Sequence, residues 1–396
     1  MKKINIYEFI MKILLAINFV TAIKIPILED FIENITYIYF AINMLSFLAL
    51  IIVINKINLK GFIKYIIIYY LILSVSTLFN SNGDTYTVIY EFITVFCTIL
   101  IWNSLSKEKF KKYEPVMVTI LEMLTYANFV CILLYPNGLY NIGAVRKYYL
   151  FGHVNIAIRY LLPGCCLTFI RSYMHKNKLD IRAIVYLIIS FATLLLTWTA
   201  TALVGFVIFI AILFVIKRNK IIKNFLYPNF MYLYTSLASY LIIGMNIQNK
   251  FSNIIEKLLH KDVSFSGRIF IWERSVSYIK QRFLLGYGRM SIEKRYSMLS
   301  ATSSHNQFLV FLFEGGLVMV SYFLILMIII TKKLKQCKNR MISGILVSTI
   351  ASYLIMWISE PFSYSAIVLT FIILFLSYKS FLLFDSAEEK ENLENE

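Results

Sequence analysis

The chain has 396 residues, of which 59% are hydrophobic and 15% charged, whereas soluble domains run nearer a quarter charged. No soluble core absorbs so much apolar surface; a bilayer-spanning helix uses about 20 apolar residues, so the length fits one polytopic membrane domain. The net charge of +17 does not call for a nucleic-acid partner, because most Lys and Arg sit in short alternating loops, where the positive-inside rule accounts for them.

At the N-terminus, Met1-Lys2-Lys3 leads into an apolar run with no small-residue cleavage site, so this run reads as a first span, not a removed signal. Further apolar runs predict about twelve transmembrane helices, near 8–26, 35–54, 62–79, 86–104, 115–135, 156–173, 182–198, 200–216, 229–246, 306–330, 341–358 and 362–383. The expected fold class is all-α, a polytopic helix bundle. Loops carrying Lys or Arg at 56–64, 107–112, 171–182, 217–223 and 332–340 all fall on one side, which the charge rule assigns to the cytoplasm. Both termini then lie inside, the tail at 385–396 being acidic, and the protein is expected in a bacterial cytoplasmic (inner) membrane.

The loops at 80–84, 136–155 and 247–305 face outward. The last is large and partly helical: Phe251, Ile254, Ile255, Leu258 and Leu259 recur at helical spacing, as do Ile269, Trp272, Val276, Ile279 and Phe283, which predicts amphipathic helices lying on the membrane surface. The five cysteines, Cys97, Cys131, Cys165, Cys166 and Cys337, fall in spans or on the cytoplasmic side, so no disulfide framework is implied. No Cys/His cluster has zinc spacing either.

Three outward segments hold polar groups that a membrane bundle has no structural need to place there: Arg146 to Asn155, Ser266 to Gly288, and Ser303 to Gly316. Within them stand Gly267-Arg268-x-x-x-Trp272 followed by Gly286-x-Gly288, and a His305-Asn306 pair at the outer end of a span with Gly315-Gly316 about ten residues on. In order, spacing and topology these segments resemble the integral membrane glycosyltransferases of the O-antigen ligase and O-antigen or capsule repeat-unit polymerase family, over roughly residues 140–330.

The resemblance implies transfer of an oligosaccharide from a polyprenyl diphosphate to a sugar hydroxyl on the outer face of the membrane. A lipid diphosphate leaving group gathers charge on phosphate oxygens, which a guanidinium meets with paired charge-assisted hydrogen bonds. Arg268, in the first turn of a helix whose free amides also favour an anion, is the first candidate for that role, with Arg146 and Arg159 as further contacts. His305 is the candidate base for the acceptor hydroxyl, since an imidazole is the side chain suited to proton transfer near neutral pH. Asn306 is expected to orient that ring or the sugar, and Asn155 and Trp272 to touch substrate.

Asp-x-Asp pairs of the kind that hold a divalent ion against a diphosphate do not occur in the outer loops, so the transfer is expected to need no metal and no cofactor. Besides the lipid-linked oligosaccharide and membrane lipid, other polysaccharide-assembly proteins are expected partners. Arg159, Glu91 and Glu122 fall within spans, where a charge needs a partner or a wet cavity. Bland roles stay open for each, and for His153. So do three functions: a polymerase that extends a lipid-linked chain, a ligase that moves a finished chain to another acceptor, and a transporter or flippase of lipid-linked sugars.

Overall fold

Hydrocarbon offers a backbone amide no partner, so an apolar chain in a bilayer satisfies its own amides in helices. The computed structural model describes residues 6–141, 147–218, 220–245, 268–362 and 366–385. Its first half runs α1 (Ile6–Ile23), α2 (Pro26–Phe31), α3 (Ile35–Ile54), α4 (Ile63–Leu78), α5 (Thr85–Ser104), α6 (Lys107–Tyr113) and α7 (Pro115–Leu134). The second runs α8 (Ile158–Lys176), α9 (Ile181–Thr197), α10 (Ala200–Arg218), α11 (Lys220–Phe225), α12 (Pro228–Met245), α13 (Arg268–Gln281), α14 (Ile292–Leu299), α15 (Gln307–Gln336), α16 (Arg340–Met356), α17 (Ile367–Tyr378) and α18 (Ser380–Phe384).

Each of the twelve expected spans holds a helix, and among the described residues six helices are long and apolar enough to cross a membrane by length and composition. Side-chain caps set several helix starts: Asp84 accepts from the Thr87 amide, Asp180 from Ala183 and Asn339 from Ile342. The last span is shorter than its apolar run. Helix α17 starts at Ile367, not near 362, directly after Ala366, whose left-handed backbone (φ 55°) is not helical. The loop before α8 adds a small antiparallel sheet, β1-β2-β3, of Tyr140–Asn141, Lys147–Tyr149 and Gly152–His153.

Packing pairs α1 with α3, α4 with α5, and α10 with α16 around an apolar core that includes Leu161, Cys165, Tyr186, Leu346 and Leu354. Ile52, Leu71 and Leu237 point outward, as a lipid-facing surface requires. The basic loops gather at one end. Asn103 donates to the Lys60 carbonyl, Lys379 to Asn103, and Lys107 to the carbonyl of Asp385, whose carboxylate takes the Lys338 amide.

At the other end, helix α15 is broken. Gly316 has φ 62° and ψ −160°, so the amides of Leu317 and Val318 cannot reach the carbonyls of Phe313 and Glu314. The segment that follows α13 replaces both bonds. Leu317 and Val318 donate to the carbonyls of Phe283 and Leu284 (2.9 and 3.4 Å), while Tyr287 and Gly288 donate to Phe313 and Glu314 (2.6 and 2.8 Å). The inserted segment is also tied to the end of α4: Asn80 donates to the Tyr287 carbonyl at 2.7 Å and the Arg289 amide to Thr77 Oγ1 at 2.9 Å.

Only glycine permits this approach. A Cβ on Gly288 would lie 2.2 Å from Thr77 Cα, and one on Gly316 would lie 2.1 Å from the Leu284 carbonyl oxygen. Beside the insert, the buried Arg289 guanidinium donates to both carboxylate oxygens of Glu314 (2.8 and 2.9 Å) and to Glu91 (2.6 Å). Glu91 thus has a structural partner, as does Glu122, which takes two bonds from Arg182 at 2.8 and 2.6 Å.

Gly316→Ala should therefore expel the insert and strand backbone groups of both segments. The expected loss is about 3 kcal/mol or more, read as a lower apparent melting temperature of the purified protein. An unchanged melting temperature would show that the insert does not hold α15.

Candidate active site

The break in α15 fixes where its N-terminus points. Asn306 caps that end, its Oδ1 accepting from the Leu309 amide at 3.0 Å while Nδ2 donates to Ser239 Oγ (3.1 Å) and the Ile358 carbonyl (2.8 Å). His305, one residue earlier, has φ 47°, a left-handed backbone that costs a non-glycine residue energy and persists only when its surroundings dictate it. Here they do. The His305 amide donates to Ser303 Oγ, Trp272 Nε1 donates to the Ser304 carbonyl at 3.0 Å, and Ser275 Oγ donates to Ser304 Oγ at 3.0 Å.

Helix α13 supplies Trp272 and Ser275 to this brace and Arg268 to the site itself. Two residues of the apolar face that its periodicity predicts, Trp272 and Ile279, are buried inside the protein. They pack with Tyr287, Leu299, Leu309 and Phe313, because the insert holds α13 against α15. The companion helix expected around 251–259 lies outside the described residues.

Arg268 reaches across to the turn after α16, where Nη1 donates to the Ser359 carbonyl (2.8 Å) and Nη2 to Glu360 Oε1 (2.7 Å). The other oxygen of Glu360 lies 3.9 Å from His305 Nδ1, an ion-pair distance too long for a hydrogen bond. Nδ1 is buried and has no hydrogen-bond partner, while the side chain as a whole is 32% exposed. The ring therefore turns one nitrogen toward a carboxylate and leaves its other edge accessible. Arg159 completes the cluster from the start of α8, its guanidinium 5.5 Å from the Phe362 ring.

Burial alone would push the Glu360 carboxyl up, but His305, Arg268 and Arg159 outweigh it and hold the group below its ordinary range. A carboxylate kept ionised beside Nδ1 stabilises the imidazolium that forms when the opposite nitrogen takes a proton. A guanidinium has five N–H donors. Arg268 uses two of them on Ser359 and Glu360, and the remainder can meet an anion.

Of the residues picked out from sequence, Arg268, His305 and Arg159 converge on Glu360. Trp272, expected to touch substrate, is instead buried at 4% exposure, because its indole is spent bracing the His305 turn. Asn306 is fully buried, and both ends of its amide are committed to cap and carbonyl. Asn155 lies one turn ahead of Arg159, in the 3-10 turn Val154–Ile156, its amide bonded to His153 Nδ1 at 3.3 Å. Arg146 lies outside the described residues. Glu360 was missed, although an acidic residue next to a proline in a short turn between two apolar runs was signal enough. Among the described residues, no group of three or more His, Cys, Asp or Glu side chains is gathered as metal ligands would be.

Residues 185–324 match the family model described as O-Antigen ligase. No curated protein matches the chain. The matched stretch takes in Arg268, the Gly286-Tyr287-Gly288 insert, His305 and Gly316, and leaves Arg159 and Glu360 on either side of it.

Folding lowers the Glu360 pKa, so its ion pairing stabilises the protein above the ordinary glutamate range and is lost as pH falls through the lowered folded value. Glu360→Gln should thus be about 2 kcal/mol less stable at neutral pH. On acidification toward pH 3 it should lose less stability than the wild type. Melting curves across this range test it, and parallel pH profiles would remove Glu360 from the cluster's energetics.

Proposed function

We propose, starting from the match of residues 185–324 to the O-Antigen ligase family model, that the protein is a polymerase joining polyprenyl-diphosphate-linked oligosaccharide units at the outer face of a bacterial cytoplasmic membrane. The observation that carries this reading is the convergence of Arg268 and His305 on one carboxylate, Glu360. The sidedness rests on the clustering of basic loops at the opposite end of the bundle.

In the reaction, the exposed edge of His305 accepts the proton of the acceptor sugar hydroxyl as its oxygen bonds to the anomeric carbon of the donor. The bond from that carbon to the diphosphate oxygen breaks, and the electron pair leaves on the lipid diphosphate. Arg268 and Arg159 offset the charge that gathers there. Glu360 offsets the charge that forms on His305. The proton returns to solvent from the exposed edge of the imidazole, and no metal enters these steps. Arg146 and Asn155 stay as candidate contacts to the donor in the outward loop before α8.

A second reading is favoured by the description of the matching family, O-Antigen ligase: the same site would move a finished glycan to a different acceptor. Incubation of the purified protein with a lipid-linked repeat unit separates the two. A ladder of products supports the polymerase, and a single addition to a foreign acceptor supports the ligase. Movement of lipid across vesicles with no covalent product would sink both.

His305→Ala is expected to slow transfer by about 10²- to 10⁴-fold, or roughly 3 to 5 kcal/mol on the barrier. Arg268→Ala should be similarly impaired, with Arg268→Lys intermediate because an ammonium lacks the paired donors. Wild-type rates in His305→Ala or Arg268→Ala would overturn the site.

A further inference from the structure

At the end of the bundle away from His305, a cavity of about 660 Å³ opens between α10, α11, the C-terminal end of α15 and the start of α16. Helix α15 has 30 residues, so at 1.5 Å per residue the cavity lies on the order of 40 Å from the proposed active site. Lys223, Lys335, Lys338 and Arg340 line it, and among the described residues that line it none is a carboxylate. The nearby carboxylate of Asp385 is already spent on the backbone amides of Lys338 and Asn339, at 3.0 and 3.2 Å.

Positive-inside topology requires basic residues on this side of the membrane but does not require them to face one cavity. Lys223 is drawn in far enough to donate to Ser343 Oγ at 3.1 Å, and burial together with the charge of Arg340 pushes its pKa down, Cys337 opposing. Among the described residues this inward ammonium makes no ion pair, and it shares the cavity with three other cations. The wall beneath is hydrocarbon: Leu213 and Ile216 of α10 meet α16 at Gly344, where a Cβ would lie 3.3 Å from Ile216 and 3.9 Å from Leu213. On the same helix, Ile210 and Phe214 are exposed, continuing an apolar face away from the rim.

We propose that this cavity binds the phosphate headgroup of an anionic phospholipid, the cations taking the phosphate and the α10 face the first part of an acyl chain. The amphiphilic lining selects a lipid over soluble phosphate, since an inorganic ion leaves the hydrocarbon wall unused. Basic pockets between transmembrane helices are where such headgroups are held. The site is independent of the glycosyl-transfer reading, because its readout is lipid binding.

The test uses the full-length protein in detergent, titrated with phosphatidylglycerol, with phosphatidylcholine of the same acyl chains, and with inorganic phosphate, and followed by native mass spectrometry and melting temperature. Phosphatidylglycerol should bind at least about tenfold tighter than phosphatidylcholine. Lys335→Gln/Arg340→Gln should abolish that preference, and these side chains are exposed, so the fold tolerates the change. The control Lys56→Gln/Lys60→Gln, also exposed and at the same end, should keep it. The proposal is overturned if phosphatidylcholine binds equally, if inorganic phosphate alone gives the same shift, if the control loses the preference as well, or if Lys335→Gln/Arg340→Gln retains it.

Discussion

An unpaired backbone group in hydrocarbon costs several kcal/mol, and the break at Gly316 would leave two amides and two carbonyls in that state. The Phe283–Gly288 segment cancels the cost by trading bonds one for one with helix α15. Because that segment continues directly from α13, the trade also fixes α13 against the part of α15 that precedes Gly316. Arg268 at one end of α13 is thereby set against the His305 turn. The Gly-x-Gly and Gly-Gly pairs are thus parts of one joint.

Two groups of charges sit near this joint and differ in what they can do. Around Arg289 the charges close on one another inside the protein: both oxygens of Glu314 and one of Glu91 are taken by a guanidinium that is 2% exposed. Removing one partner of such a set leaves a buried charge uncompensated, which makes it a brace. Around Glu360 the closure is incomplete. His305 Nδ1 stands 3.9 Å from its carboxylate, and the ring keeps an accessible edge. A left-handed His305 backbone, a partly exposed imidazole and a guanidinium with donors to spare set this cluster apart from the closed brace around Arg289.

Much of this was legible in the residues. The order of motifs pointed to Arg268 and His305, and hydropathy pointed to Arg159 as a charge in need of company, which the structure supplies in Phe362 and Glu360. Roles within the site were less legible. Trp272 and Asn306 read as substrate contacts because they flank the candidate residues, yet packing turns both inward to hold the His305 turn. Glu360 lay 92 positions from Arg268 with no motif to join them, and the basic cavity draws on helices more than a hundred residues apart.

The sequence by itself determined the spans and the gathering of basic loops at one end of the bundle. Each is a local constraint: a stretch of chain either is or is not apolar enough to enter the bilayer, and a short loop either does or does not carry Lys and Arg. Tertiary structure alone decided which charges meet. A buried carboxylate is satisfied by whichever donor the packing of helices brings within about 3 Å, and that depends on crossings and breaks such as the one at Gly316, which spacing along the chain does not encode.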